Sequence, residues 1–314
     1  MNYTEFKTEI QNNIKDFLPE KFKDYDVTVR QIKKNNGITL DGLMIKGPER
    51  ISPTMYLNEF FDEYEKGAEL QKIMRNIAVL YEKQQERIPN LGINLARYED
   101  VKPHLIVAVC NAKLNRGLLE DVPHDNKEDL ALVYRIKQQV SDEDVGSVLV
   151  RNEFLTLWGI GEKEFKEDAW NSMRKETPSH FCSMEEVLSK IMPEEVAFDL
   201  PMYEASPNLM YVLTNETNMW GAVYMFDGKI MADIAEKLDS SFTVLPSSIH
   251  ECIIVPDTVD GTAEELQEMV ETVNATELRE EDILSNQIYH YDRDTQELSV
   301  VPAQSNSLGM SMQM

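Results

Sequence analysis

The sequence from residue 242 to residue 255 is FTVLPSSIHECIIV. It contains two short apolar runs, 242–245 and 251–255, separated by a polar turn that begins at Pro246. Apolar runs of this length, rich in β-branched residues and bounded by turn residues, predict strands. Downstream, Thr262-Ala263-Glu264-Glu265 has the capping-box pattern that starts a helix. Short strands followed by a helix predict an α+β fold.

The same pattern extends through the rest of the C-terminal third. Residues 209–213 and 222–226 are apolar runs that we expect to form strands of one sheet. Residues 229–238 have helical periodicity. Residues 288–291 and 298–301 flank a polar turn and predict a closing hairpin.

The N-terminal part alternates helices and strands. Asn36-Gly37 predicts a hairpin between the apolar runs 27–32 and 38–45, because both turn positions tolerate positive φ. Residues 105–110 and 130–135 are apolar enough for two further strands, joined by a polar connection. Helical patterns occupy the remaining segments, namely 3–17, the stretch opened by Pro53, 68–87, and the segments that follow Val145 as far as Pro193.

These elements indicate two lobes, each with a small mixed or antiparallel sheet packed against helices. We expect an N-terminal α+β lobe over residues 1–140 and a helical connection over 141–205. An acidic C-terminal α+β lobe would follow over 206–302. The serine- and methionine-rich tail, 303–314, is expected to be frayed.

Charge is unevenly distributed along the chain, whose formal net charge is −25. Residues 1–150 carry 21 basic and 25 acidic side chains, whereas residues 151–314 carry 10 and 31. The second part therefore has a net charge of −21, which repels phosphate backbones and disfavours nucleic-acid binding. It favours a basic protein as the partner.

The compartment is predicted from the cysteines and the hydropathy. Cys110, Cys182 and Cys252 are widely spaced and include no CxxC pair, so a disulfide framework is not indicated. The N-terminus lacks the basic and apolar regions of a signal peptide. No apolar run approaches the ~20 residues that span a bilayer. We therefore expect a cytoplasmic protein without a membrane segment.

One block of polar residues is a candidate catalytic site: Ser247, Ser248, His250 and Glu251. Hydrolases and transferases use hydroxyl nucleophiles that a neighbouring base activates. The block offers two hydroxyls, an imidazole and a carboxylate at a strand-to-turn junction, so it favours such an enzyme. However, no GxSxG elbow accompanies them, and serines after a proline commonly lock a turn through backbone hydrogen bonds. Both interpretations stay open.

Three groupings of histidine with cysteine or carboxylates are candidates for metal ligation, but no metal site is predicted. These are His180 with Cys182, His250 with Glu251, and His290 with Asp292 and Asp294. None has HExxH spacing or a paired CxxC. Gly-rich phosphate-binding loops are also missing from the sequence, so no cofactor is expected.

Several blocks of the sequence carry a resemblance, namely 209–215, Gly221-Ala222, 245–251 (LPSSIHE), Pro256-Asp257, and 149–155 with Trp158-Gly159. Together they resemble a family of uncharacterised bacterial proteins, a domain of unknown function found mainly in anaerobic Gram-positive bacteria. The resemblance covers most of the chain, and LPSSIHE is its most specific part. It implies a cytoplasmic bacterial protein and supplies neither an activity nor catalytic residues.

Three functional hypotheses follow. The first is a non-enzymatic binding or regulatory protein whose acidic C-terminal part binds a basic partner. The second is a hydrolase or transferase with its site around Ser247 and His250. The third is an acidic mimic of nucleic acid that occupies a DNA-binding protein. The sequence predicts no oligomeric state.

Overall fold

The computed structural model describes residues 1–48, 52–87, 93–139, 145–191, 210–246 and 248–302. The chain divides into two compact units, residues 1–95 with 137–148, and residues 96–136 with 149–314. Antiparallel sheets and helices together make up the described structure, which confirms the α+β prediction. The expected boundaries of the lobes, at residues 140 and 205, stay a prediction.

The first unit contains a three-stranded sheet with the order β1-β2-β3. The predicted hairpin is confirmed: Asp26 pairs with Lys46, and the turn residues Asn36 and Gly37 have φ of 58° and 71°. Phe6 and Tyr81 lie in the buried core of this unit. Within residues 1–95 the elements are α1 (Tyr3–Asn13), β1 (Asp26–Lys33), β2 (Thr39–Lys46), β3 (Thr54–Tyr56), α2 (Leu57–Glu65) and α3 (Leu70–Arg87).

The next part of the chain forms the second sheet, whose strands pair in the order β4-β6-β5, with β7 also paired to β6. Leu105 lies opposite Ile136, which confirms that 105–110 pairs with 130–135. The elements are α4 (Tyr98–Val101), β4 (Leu105–Asn111), α5 (Arg116–Leu119), β5 (His124–Lys127), β6 (Leu130–Gln139), β7 (Val145–Leu149), α6 (Asn152–Trp158) and α7 (Glu162–Glu176).

The third sheet has six strands in the order β13-β12-β10-β11-β9-β8. Tyr289 pairs with Val300, which confirms the closing hairpin, and Thr262 and Glu265 form the predicted capping box. The elements are β8 (Ser179–Ser183), α8 (Met184–Ile191), β9 (Tyr211–Asn215), α9 (Gly228–Leu238), β10 (Phe242–Leu245), β11 (Cys252–Pro256), α10 (Ala263–Thr276), β12 (Tyr289–Asp292) and β13 (Glu297–Val300).

The prediction of a strand at 222–226 is wrong. Gly221–Phe226 form a 3₁₀ helix, in which Ala222, Val223, Tyr224 and Met225 are buried. A short, continuous apolar run cannot show whether its period is that of a helix or a strand. The turn before it decides the outcome: the Asn215 carboxamide accepts the N–H groups of Thr217 and Met219 and donates to the Met219 carbonyl.

Two element boundaries also differ from the predictions. Val145–Leu149 are a strand rather than the start of a helix, because they pair with β6. Thr54–Tyr56 pair with β2, so the helix that we expected Pro53 to open begins at Leu57. Among the described helices, none is long and apolar enough to cross a membrane. The expected tail lies outside the described residues.

Candidate functional site

The described residues of the predicted LPSSIHE site connect β10 to β11. Ser248 is only 2% exposed. Its Oγ accepts the backbone N–H of His250 at 3.0 Å, and its own N–H donates to the Glu251 carbonyl at 3.3 Å. The serine hydroxyl oxygen thus closes the turn in the way that serine commonly does. Ser247 lies outside the described residues.

His250 connects this turn to three other segments. Its Nδ1 accepts the backbone N–H of Trp220 at 3.4 Å, and its Nε2 lies 3.5 Å from an Asp282 carboxylate oxygen. Its carbonyl accepts the Thr214 hydroxyl at 2.9 Å. The imidazole side chain remains 29% exposed. These contacts link the turn to Trp220, Thr214 and Asp282.

This geometry does not form a nucleophile–base pair between Ser248 and His250. A general base must reach the hydroxyl proton that it removes. Here Nδ1 faces the Trp220 N–H, while Ser248 Oγ faces the His250 backbone rather than its ring. The described contacts favour a structural turn. A catalytic role for Ser247, Ser248, His250 and Glu251 remains a prediction.

A separate cleft lies beside α7, where it meets β5 and β6. Its volume is about 510 Å³. The Lys166 ammonium lies 2.7 Å from an Asp125 oxygen and 2.6 Å from a Glu162 oxygen. The Tyr134 hydroxyl donates to the other Asp125 oxygen at 2.6 Å. The complete lining is Asp125, Tyr134, Glu162, Lys163, Lys166, Glu167 and Trp170.

The contacts among Asp125, Lys166 and Tyr134 shift the pKa of each of these groups. Burial alone would raise the pKa of Asp125, but hydrogen bonds from Lys166 and Tyr134 outweigh it and lower that pKa. Burial would lower the pKa of Lys166, but Asp125 and Glu162 outweigh it and raise that pKa. Burial and the Asp125 carboxylate raise the pKa of Tyr134. Near neutral pH the Asp125 carboxylate therefore stays ionised, whereas Lys166 and Tyr134 stay protonated, which suits binding better than proton transfer.

Sequence reasoning missed this cleft. Asp125 fell in the segment that we predicted to be a polar connection, whereas it lies in β5. Lys166 and Glu162 are four residues apart on α7, which is the usual spacing of a surface ion pair on a helix. That spacing alone gave no sign that Asp125 and Tyr134 complete the group.

The structure places the three groupings of histidine with possible ligands, for which the sequence predicted no metal site, in different surroundings. His290 Nε2 lies 2.8 Å from Asp257, whereas Asp292 accepts the N–H groups of Asp294 and Thr295 and shapes the hairpin turn. His250 neighbours Asp282. His180 and Cys182, in contrast, lie with Glu186 close enough to share an ion. Among the described residues, His180, Cys182 and Glu186 are the group of three or more histidine, cysteine or acidic side chains that could hold a metal ion.

The acidic residues are densest around α10. Residues 257–282 contain ten aspartates and glutamates and one basic residue, Arg279. The helix itself carries four exposed glutamates and no lysine or arginine; the glutamates are Glu264, Glu265, Glu268 and Glu271. We call the exposed side chains of residues 257–282 the acidic surface.

Comparison with models of protein families assigns the chain to a family. The model of a family of unknown function, DUF5688, matches residues 3–293. The chain belongs to this family. The family is described as one of unknown function, so membership supplies no activity. No curated protein and no solved structure matches the chain.

Proposed function

We propose that this protein is a non-enzymatic binding or regulatory protein that recognises a basic protein partner through the acidic surface. The observation that carries the proposal is α10, whose four exposed glutamates are accompanied by no basic residue on the same helix. Like charges on one surface repel each other, and a basic partner relieves that repulsion.

The arrangement of the side chains supports protein recognition. Glu264, Glu268 and Glu271 are spaced so that they lie along one side of the helix. Met269, in the same stretch, is 40% exposed. Methionine is flexible and polarizable and adapts to varied partner surfaces. A segment that combines lysine or arginine with apolar residues would match both features.

The remaining parts of the proposal concern location. We infer a bacterial, cytoplasmic protein. The family resemblance supports a bacterial origin, and the three free cysteines, all buried, suit a reducing compartment. The strong negative charge keeps such a protein soluble and disfavours non-specific binding to nucleic acid.

The enzyme hypothesis has less support from the described contacts. Ser248 and His250 are engaged in the turn, and the groups of the Lys166 cleft keep fixed charges. An acidic mimic of nucleic acid is a special case of the binding proposal, in which the basic partner is a DNA-binding protein.

The test compares two sets of three charge changes. One variant carries Glu264→Gln, Glu268→Gln and Glu271→Gln on α10. The control carries Glu59→Gln, Glu63→Gln and Glu65→Gln, which are exposed on α2. Both change the net charge equally. Fluorescence anisotropy measures binding of a labelled lysine-rich peptide at low and physiological salt.

The α10 variant should bind at least ~5-fold more weakly than the wild type, because each exposed charge pair is worth a few tenths of a kcal/mol to about 1 kcal/mol. The α2 control should bind like the wild type. Equal weakening in both variants would mean that only net charge matters, and would contradict a specific surface. Affinity capture with the same proteins, followed by competition with duplex DNA, distinguishes a nucleic-acid mimic.

A further inference from the structure

His180, Cys182 and Glu186 converge at the edge of the six-stranded sheet. His180 and Cys182 are two residues apart on β8, so their side chains lie on the same face of the strand. β8 is the last strand of the described sheet order and pairs with β9. Glu186 lies in the first turn of α8, which begins directly after β8.

Local structure holds Glu186 close to the strand. The Ser183 hydroxyl accepts the backbone N–H of Glu186 at 3.2 Å and caps α8. The chain therefore turns sharply from β8 into the helix. As a result, one ligand atom from each of His180, Cys182 and Glu186 lies within 4.8 Å of the others.

We propose that these three side chains bind a zinc ion and leave its fourth coordination position open. Imidazole nitrogen, thiolate sulfur and carboxylate oxygen are the ligands that Zn²⁺ takes in proteins. A thiolate and a carboxylate also balance the two positive charges of the ion. This proposal is independent of the acidic surface.

The distances suit this ion after a small adjustment. Tetrahedral zinc with ordinary bond lengths places neighbouring ligand atoms about 3.3–3.6 Å apart. The distances between the three atoms, which reach up to 4.8 Å, must therefore shorten by roughly 1.5 Å at most. Glu186 can supply this movement, because it is the longest and most exposed of the three side chains.

Lys190 competes with the ion. Its ammonium lies 2.8 Å from a Glu186 carboxylate oxygen, four residues along α8. Zinc must therefore displace the Lys190 ammonium from the exposed Glu186 carboxylate. Removing the lysine should therefore strengthen binding, whereas removing a true ligand should weaken it. A purely structural ion pair would not produce these opposite effects.

The test uses Co²⁺ as a spectroscopic probe and Zn²⁺ in competition with a chromophoric chelator, on the full chain. Wild-type protein should show a thiolate-to-cobalt charge-transfer band, which Cys182→Ser abolishes. Cys110→Ala, which changes a different buried thiol, should keep the band. Absence of the band in the wild type, or its persistence in C182S, overturns the proposal.

Surface variants keep the test decisive if C182S does not fold. Glu186→Gln should weaken zinc binding by more than ~10-fold, since losing even a residue that only hydrogen-bonds to a metal ligand typically costs ~10–100-fold. Glu185→Gln changes the adjacent exposed carboxylate and should bind as the wild type does. Lys190→Met should bind about twofold more tightly. Equal affinity of E186Q and E185Q overturns the assignment of Glu186.

Discussion

The Nδ1 atom of His250 accepts the backbone N–H of Trp220 over 3.4 Å. Trp220 has a φ of 58°, an uncommon conformation for a residue other than glycine, and directly precedes the buried 3₁₀ helix at Gly221–Phe226. A side chain of the LPSSIHE turn thus stabilises the turn that leads into a buried helix 30 residues away in sequence.

His250→Ala removes this acceptor and leaves a backbone N–H without its partner. We expect the free energy of unfolding to fall by about 1–3 kcal/mol. His250→Asn should lose less, because its carboxamide oxygen can occupy a position close to that of Nδ1. Urea denaturation of the three proteins measures the difference. Equal stability of wild type and H250A would contradict the structural role of this histidine.

Gly221 packs closely against β9. A Cβ atom at this position would lie 2.6 Å from the Thr214 hydroxyl oxygen and 2.7 Å from the Asn215 backbone nitrogen. Gly221→Ala should therefore destabilise the protein by roughly 1–3 kcal/mol, as overpacking does.

Gly228 provides the matched control, because nothing lies within 4 Å of the corresponding Cβ position. It is the first residue of α9, where alanine is tolerated. Gly228→Ala should leave the melting temperature unchanged or raise it slightly. Thermal denaturation followed by circular dichroism compares the two variants. A larger loss of stability in G228A than in G221A would show that the close approach of Gly221 to β9 does not cause the destabilisation.

Asp125→Asn tests the charges of the Lys166 cleft. The carboxylate accepts from Tyr134 and Lys166, and these contacts lower its pKa in the folded protein. A lowered folded-state pKa gives stability that is present above the unfolded value of about 3.9 and is lost as the pH falls through the folded-state pKa.

The variant should therefore be less stable than wild type by roughly 1 kcal/mol near pH 7, since the carboxylate is partly exposed and solvent screens it. The difference should shrink below a pH of about 4. Urea denaturation at several pH values measures it. A constant difference from pH 7 to pH 3 would contradict the assigned cause. Glu162→Gln, which removes the other carboxylate on Lys166 but leaves Tyr134 bonded, should cost less stability.

The buried cysteines should resist modification. Burial raises the pKa of Cys110 to about 12, and it also raises the pKa of Cys252. The thiolate is the reactive form, so neither thiol should react quickly with Ellman's reagent at pH 8 in the native protein. All three cysteines should react after unfolding in guanidinium chloride. Rapid reaction of native protein that persists in Cys182→Ser would contradict this burial.

Much of the local structure was predictable because its signals are local. Asn36-Gly37 marked the first hairpin, and Thr262 with Glu265 marked the start of α10. Both depend on residues within a few positions of each other. The run 222–226 was predicted wrongly because neighbouring apolar residues do not show which partners will bury them.

The candidate sites also combine residues that local sequence brings together with residues that only tertiary structure brings together. The sequence showed that His180 and Cys182 are two positions apart, but this spacing predicted no metal site. Only the turn from β8 into α8 places the Glu186 carboxylate beside them. Asp125 and Lys166 are 41 positions apart, and their contact depends on how α7 packs beside β5.

The sequence by itself determined the α+β class, the hairpins with strong turn residues, the helix cap at Thr262 and the concentration of acidic residues in the C-terminal part. These features depend on composition or on short-range backbone preferences. The tertiary structure alone decided that Gly221–Phe226 form a helix, that His250 bonds to Trp220, and that Glu186 approaches Cys182. Such contacts follow from the pairing and packing of distant segments, which no local pattern specifies.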